Sequence, residues 1–338
     1  MTGYYYSDDG KTFTSKIEAI LYSEKNNKKI KFHYYDEQWS KYDWTIEPPE
    51  SIDYYYKEYA QYLRQTYDYV ILCYSGGYDS TNILETFHYN NIKLDKIVIV
   101  GAFKQDAWTG ADMNHNGELY HNAFPYLKTL GYENITQTFD YSEMFTDLKN
   151  FSVHELGESW TDVIKGFYSP HNWFWKDLEK NVVPKEWQDK KVAILFGKDK
   201  PEIFIENSKI GFKFKDFVVN SYANQLQKVN DIERINFYWQ PEYPFILLKQ
   251  LHILKKNFVN RDKSIEQLVY NLKQPLIYKS PKSKNNYFSL RDTFLFKKKN
   301  SEIYDFFIHS MKTMNEKIKL ENVKVVTSKF YPIMKYDK

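Results

Sequence analysis

Two uninterrupted apolar runs stand out from a chain otherwise patterned at helical spacing: Tyr69-Val70-Ile71-Leu72-Cys73-Tyr74 and Ile97-Val98-Ile99-Val100. A strand apolar at every position is covered on both faces, which is the condition of a central strand in a parallel sheet. Between the runs, Ile83, Leu84 and Phe87 share one helical face, so the pattern predicts a strand–helix–strand unit of about thirty residues. Upstream, a helical pattern runs from Ser51 through Tyr55, Tyr59, Leu63 and Arg64. Downstream, a helix is expected from about Asn116 to Leu130, stopped by Gly131, and then a weaker strand around Ile135–Phe139. Residues 142–190 read as mainly helical and irregular, and Val192–Phe196 is the next clear strand. Alternating strands and helices with buried strands predict an α/β fold built on an open, doubly wound parallel sheet.

Both flanks depart from this alternation. Residues 1–60 read as a small N-terminal preface: a capping-box start at Ser15 with Glu18, a short helix through Ile20, a strand over Ile30–Tyr34, and a close at Pro48-Pro49. Residues 203–338 read as a mixed, partly helical C-terminal region. Ile203-Phe204-Ile205 and Gly211–Phe214, separated by Glu206–Lys209, form a hairpin pattern, and a helix begins near Pro244. That helix carries an apolar stripe of Leu247, Leu251, Leu254 and Phe258 opposite Lys249, His252 and Lys256. A further strand is expected at Val323–Val326. The chain shows no internal repeat and no low-complexity linker.

Composition narrows the functional classes. Hydrophobic residues are 42% and charged residues 27% of the chain, a globular balance. The net charge of +3 is well short of the basic excess expected of a domain that tracks a phosphate backbone. The single cysteine, Cys73, excludes an internal disulfide and a two-cysteine redox relay, which fits a cytoplasmic protein. No signal peptide or membrane span is visible. The 31 tyrosines show no spacing that suggests a stacking platform.

The chemistry is concentrated at Ser75-Gly76-Gly77-Tyr78-Asp79-Ser80, where the first buried strand hands over to a helix. A phosphate chain needs several converging backbone N–H groups, and adjacent glycines allow a tight turn and close approach without a Cβ. The positive end of the following helix faces the same anion. The Ser75 and Ser80 hydroxyls can donate to phosphate oxygens. Asp79 would repel a bare phosphate, so its presence makes sense with Mg2+ between the two. A Walker loop would require Gly-x-x-x-x-Gly-Lys-Ser/Thr, which no strand here precedes.

The string Ser-Gly-Gly-x-Asp-Ser after a first strand resembles the signature of the PP-loop, or N-type, ATP pyrophosphatases. The preface, Gly197–Pro201 and Phe237-Tyr238-Trp239 before Pro241 extend the likeness to stand-alone asparagine-synthetase-like proteins of large bacteriophages. The resemblance implies an adenine nucleotide alpha hydrolase-like fold, with residues 61–202 as the ATP-binding domain. It also implies Mg-ATP as reactant, with the loop holding the β- and γ-phosphates that leave as pyrophosphate. Adenosine then lies against Val100, Gly101 and Ala102, and Gly197-Lys198-Asp199-Lys200 closes over the α-phosphate. In that reading Asp79, Lys198, Lys200 and Lys249 are the catalytic candidates, and Asp79 and Asp199 the metal ligands. Gly197-Lys198-Asp199-Lys200 departs from the acidic form found in asparagine synthetases, and a solvated turn is the other reading of its lysines.

Weaker signals lie elsewhere. Asp106, Asp112, His115 and Glu118 occupy the loop after the second strand, where substrate contacts or ordinary polar loop residues are both expected. Lys249, His252 and Lys256 either fold over the mouth of the site or form a solvated face. His33, His88, His154 and His171 lack metal spacing, and Cys73 reads as packed. The expected activity is an AMP-forming ligase: a carboxylate or carbonyl oxygen of a small acceptor is adenylated, and an amine or ammonia displaces AMP. The alternatives are a nucleobase-modifying enzyme acting on RNA or DNA and a nucleotide-binding protein without turnover. A reductase of adenylyl sulfates ranks last for want of a mobile thiol. With no N-terminal nucleophile domain before Tyr69, no glutaminase activity is expected.

Overall fold

The computed structural model describes residues 4–13, 16–101, 103, 119–140, 161–162, 167–168, 178–197, 202–214, 231–259 and 328–335. The chain opens with β1 (Tyr4–Ser7), β2 (Thr12–Phe13), α1 (Lys16–Asn26), β3 (Ile30–His33) and the short helix α2 (Asp36–Trp39). β1 lies between β2 and β3, antiparallel to both. Its pairing with β2 escaped the sequence reading because Tyr5 and Ser7 face inward while Tyr4 and Tyr6 are half-buried. Tyrosine serves on either face, so the two-residue alternation leaves no mark in Tyr4-Tyr5-Tyr6. The expected cap at Ser15 falls outside the described residues. Next comes α3 (Ile52–Thr66), capped by Ser51, whose hydroxyl oxygen accepts the Tyr54 N–H at 3.2 Å. The helix is continuous through residues 60 and 61, where a domain boundary was expected.

The central unit is a five-stranded, all-parallel sheet with helices, an α/β arrangement. In chain order it uses β4 (Tyr69–Cys73), α4 (Tyr78–Tyr89), β5 (Lys96–Gly101), α5 (Phe124–Leu130) and β6 (Thr136–Asp140). A π-helical turn, Leu119–Ala123, leads into α5, and Gly131 ends it with φ of 75°. After a two-stranded ribbon of β7 (Thr161–Asp162) and β8 (Phe167–Tyr168) come α6 (Leu178–Val182) and β9 (Val192–Phe196). A hairpin of β10 (Glu202–Glu206) and β11 (Lys209–Lys213) follows, and β12 (Ile232–Asn236) then returns to the sheet. The spatial order is β12-β9-β4-β5-β6, so the chain moves outward from β4 through β6 and then restarts on the other side of β4 with β9.

Both faces of the sheet are covered, as the apolar runs require. Val70, Leu72, Ile97, Ile99, Ala193 and Leu195 pack with α3, α4, α5 and the last long helix, α7 (Phe245–Val259). Ile71, Cys73, Val98, Val192 and Ile194 pack with Leu178 and Val182 of α6. The sequence did not reveal β12, because Glu233 and Arg234 interrupt its apolar run. Arg234 is nonetheless buried, and its guanidinium makes a two-pronged ion pair with the buried Glu179 of α6, Nη2 lying 2.7 Å from Oε2. The bidentate geometry compensates for the loss of water around both charges.

The N-terminal segment and the C-terminal strands share the core of the first face. β13 (Tyr331–Lys335) extends the β10–β11 hairpin to three strands. Trp39 stacks on Phe214 at 4.8 Å, Trp44 meets Phe212 edge-on at 4.7 Å, and Tyr331 stacks on Phe212 at 5.0 Å. Such aromatic pairs contribute about 0.5–1.5 kcal/mol beyond their burial. The expected strand at Val323–Val326 lies outside the described residues.

Candidate functional site

The Ser75–Ser80 loop leaves the carboxyl end of β4 beside the point where the strand order reverses, between β4 and β9. Gly76 is dictated by geometry. Gly76 has φ of +79°, and a Cβ there would lie 2.9 Å from both the Cβ and the backbone nitrogen of Ala123. Gly77 is the N-cap of α4 and brings no side-chain acceptor to the first turn. The opening N–H groups of a helix have no intrahelical carbonyls, so this end of α4 presents donors and a positive dipole to the loop's concave side.

The two serines complete the cradle. Ser75 is exposed and Ser80 buried, with their hydroxyl oxygens 3.2 Å apart. The Gly77 N–H donates to Ser75 Oγ at 3.3 Å, the Ser75 N–H donates to Ser80 Oγ at 3.3 Å, and Ser80 Oγ donates to the Gly77 carbonyl at 3.2 Å. These bonds lie at the long end of the hydrogen-bond range, so an anionic oxygen competes with them easily. Asp79 is half-buried in the first turn of α4. Amide and hydroxyl donors beside one carboxylate fit a phosphate chain bridged by a hard divalent cation. Among the described residues, no group of three or more His, Cys, Asp or Glu side chains is placed to hold a metal by itself.

The neighbouring strands bring further expected residues to this end of the sheet. Gly197, just past β9, packs on the loop: a Cβ there would lie 2.8 Å from the Asp79 carbonyl carbon and 2.9 Å from both Asp79 Cβ and the Ser80 nitrogen. Lys198, Asp199 and Lys200 lie outside the described residues. Val100 and Gly101 end β5 opposite Phe139 and Asp140 of β6, and Ala102 is outside the described set. The sequence reading missed Asp140, whose Oδ1 accepts the Phe103 N–H at 3.0 Å and fixes the exit from β5. Asp106, Asp112, His115 and Glu118 are also outside the described residues, as are His154 and His171.

The stripe on α7 is bound to the N-terminal segment. Lys249 Nζ donates to Glu47 Oε1 at 2.8 Å and to the Pro48 carbonyl at 2.9 Å, and Lys256 Nζ donates to the same carboxylate at 2.9 Å. His252 is buried, with Nε2 3.1 Å from the Trp44 carbonyl. The stripe thus clasps residues 44–48. Lys249 and His252 are buried while Lys256 stays exposed, and the Lys249 ammonium is bonded to this segment and not to the Ser75 loop. Hydrogen bonds from Lys249, then Lys256, lower the Glu47 pKa to about 2, and burial lowers that of His252.

Tyr238, in the turn after β12, was quoted in the sequence only as part of an aromatic string. Its hydroxyl donates to the Asp79 carbonyl at 2.5 Å. Long-range contact of this kind leaves no periodic signal. Cys73 is buried in the second face of the core, and His33 and His88 make aromatic and hydroxyl contacts with Tyr4 and Tyr132. No helix among the described residues is long and apolar enough to cross a membrane. No protein-family model matches this sequence, and no curated protein matches it.

Proposed function

We propose that the protein is an ATP-dependent, AMP-forming ligase of the PP-loop kind, built on a doubly wound, adenine nucleotide alpha hydrolase-like sheet. One observation carries the reading: a Ser-Gly-Gly-x-Asp-Ser loop stands at the strand-order reversal with Gly197 packed directly on its Asp79–Ser80 backbone. Ligands of open α/β sheets bind outside the carboxyl ends of the strands at such a reversal.

ATP is a substrate in this reaction. Its β- and γ-phosphates would be received by the loop's backbone donors and by the Ser75 and Ser80 hydroxyls. Asp79 would hold magnesium, which supplies neutralisation of the departing charge. The acceptor's carboxylate or carbonyl oxygen attacks the α-phosphorus, the α–β bridging bond breaks, and pyrophosphate leaves. An amine or ammonia then displaces AMP. The protein's own contribution is alignment and preorganised donors, with Lys198 and Lys200 as further candidates after Gly197.

Calorimetric titration tests the binding half of this reading. Mg-ATP and magnesium pyrophosphate should compete for one site, and Gly76→Ala should abolish both, because a Cβ there meets Ala123. A folded wild-type protein that binds neither would contradict the proposal.

A further inference from the structure

Asp79 is gripped by two strand ends that lie outside its own loop. Gly197 presses on its backbone from β9, and Tyr238 reaches its carbonyl from the turn after β12. The Tyr238 hydroxyl oxygen also accepts from Asn82 Nδ2 at 3.1 Å, which fixes the direction of its own proton. The side chain has no exposed surface and meets Tyr56 edge-on at 6.0 Å, while the Tyr56 hydroxyl accepts from Gln250 Nε2 at 2.9 Å.

A donor at this carbonyl has a specific consequence. The first turn of a helix whose N-cap is glycine has no side-chain cap, so contacts from outside the helix help to hold its peptides. Rotation of the Asp79 peptide would swing its carboxylate away from the loop's concave side. We infer that Tyr238 is a positioning residue, whose hydroxyl holds the Asp79 peptide and thereby sets where the carboxylate meets magnesium-bound phosphates. The inference rests on the proposed ATP-binding role of the loop.

Tyr238→Phe keeps the ring and removes the donor. In the nucleotide-free protein, amide exchange in the first turn of α4 should quicken. In calorimetric titration, the magnesium concentration for half-maximal ATP binding should rise about tenfold, with ATP affinity in EDTA unchanged, as expected when one ligand of a preorganised set is misplaced. Tyr243→Phe, which removes a hydroxyl that donates to Glu58 and lies outside this network, should lower the Tm but leave both readouts at their wild-type values. Should Tyr238→Phe fail to fold, Asn82→Ala loosens the hydroxyl's orientation and should raise the magnesium requirement roughly two- to threefold, the scale of one modest hydrogen bond. A wild-type protein that does not bind Mg-ATP overturns the ATP reading. A wild-type protein that binds it, with the tested variant matching wild type in both readouts, overturns the inference alone.

Discussion

Asp79 and Gly197 meet at van der Waals distance, so each supplies a test of the other. Asp79→Asn keeps the shape and removes the charge that would hold magnesium. Turnover should fall about 10²–10³-fold, the range seen when one preorganised electrostatic group is lost. Gly197→Ala keeps every charge but inserts a methyl 2.8 Å from the Asp79 carbonyl carbon, a contact that only backbone movement can relieve. It should cost about 1–3 kcal/mol of stability by overpacking, read as a lowered denaturation midpoint, and weaken Mg-ATP binding. Unchanged binding in a Gly197→Ala protein would show that β9 does not set the loop. Cys73 offers the contrasting case: it is buried in the second face of the core, so Cys73→Ser should lower the Tm while sparing turnover. Loss of turnover with folding preserved would reopen a role for sulfur.

At the scale of elements, the clasp of α7 on residues 44–48 makes stability depend on acid. The Glu47 carboxyl has a pKa of about 2 in the folded protein against 4.5 as the ordinary value. Its contribution is therefore complete above pH 4.5 and fades as the pH falls toward about 2. His252 is held neutral by burial and adds a loss of the same sign as the pH falls below its ordinary value of 6.5. Denaturation midpoints between pH 5 and 2 should show a shallower decline in Glu47→Gln than in wild type; parallel curves would contradict the clasp. Breaking the Arg234–Glu179 pair with Arg234→Met strands a buried carboxylate and should cost about 3–5 kcal/mol. The elements legible in the sequence were those whose environment is periodic: β4, β5 and β9 as apolar runs, and α3 and α4 as one-sided helices. β12 was hidden because Arg234 is satisfied by Glu179, far away in the chain, and β1 because tyrosine is indifferent to face. The stripe on α7 showed its periodicity, but nothing in it specified that Glu47, some two hundred residues earlier, would neutralise it.

At the scale of the molecule, the parallel sheet brings the ends of β4, β9, β5 and β12 to one edge, and the residues expected there from the Ser75 signature, Gly197 and Gly101 follow from that topology. Charge bears on the acceptor. With a net +3, binding to DNA or RNA should be weak and show no steep salt slope between 50 and 200 mM salt. Tight, steeply salt-dependent binding would favour a nucleic-acid substrate, with the Lys-rich stretch 279–299 as the first place to reverse charge. The central claim concerns which phosphate bond breaks, and the nucleotide products report it directly. The protein is incubated with magnesium and α-labelled ATP alongside a panel of small carboxylates and amides with ammonia, and the nucleotides are resolved. The account predicts AMP with equimolar pyrophosphate; stoichiometric ADP with inorganic phosphate would contradict it.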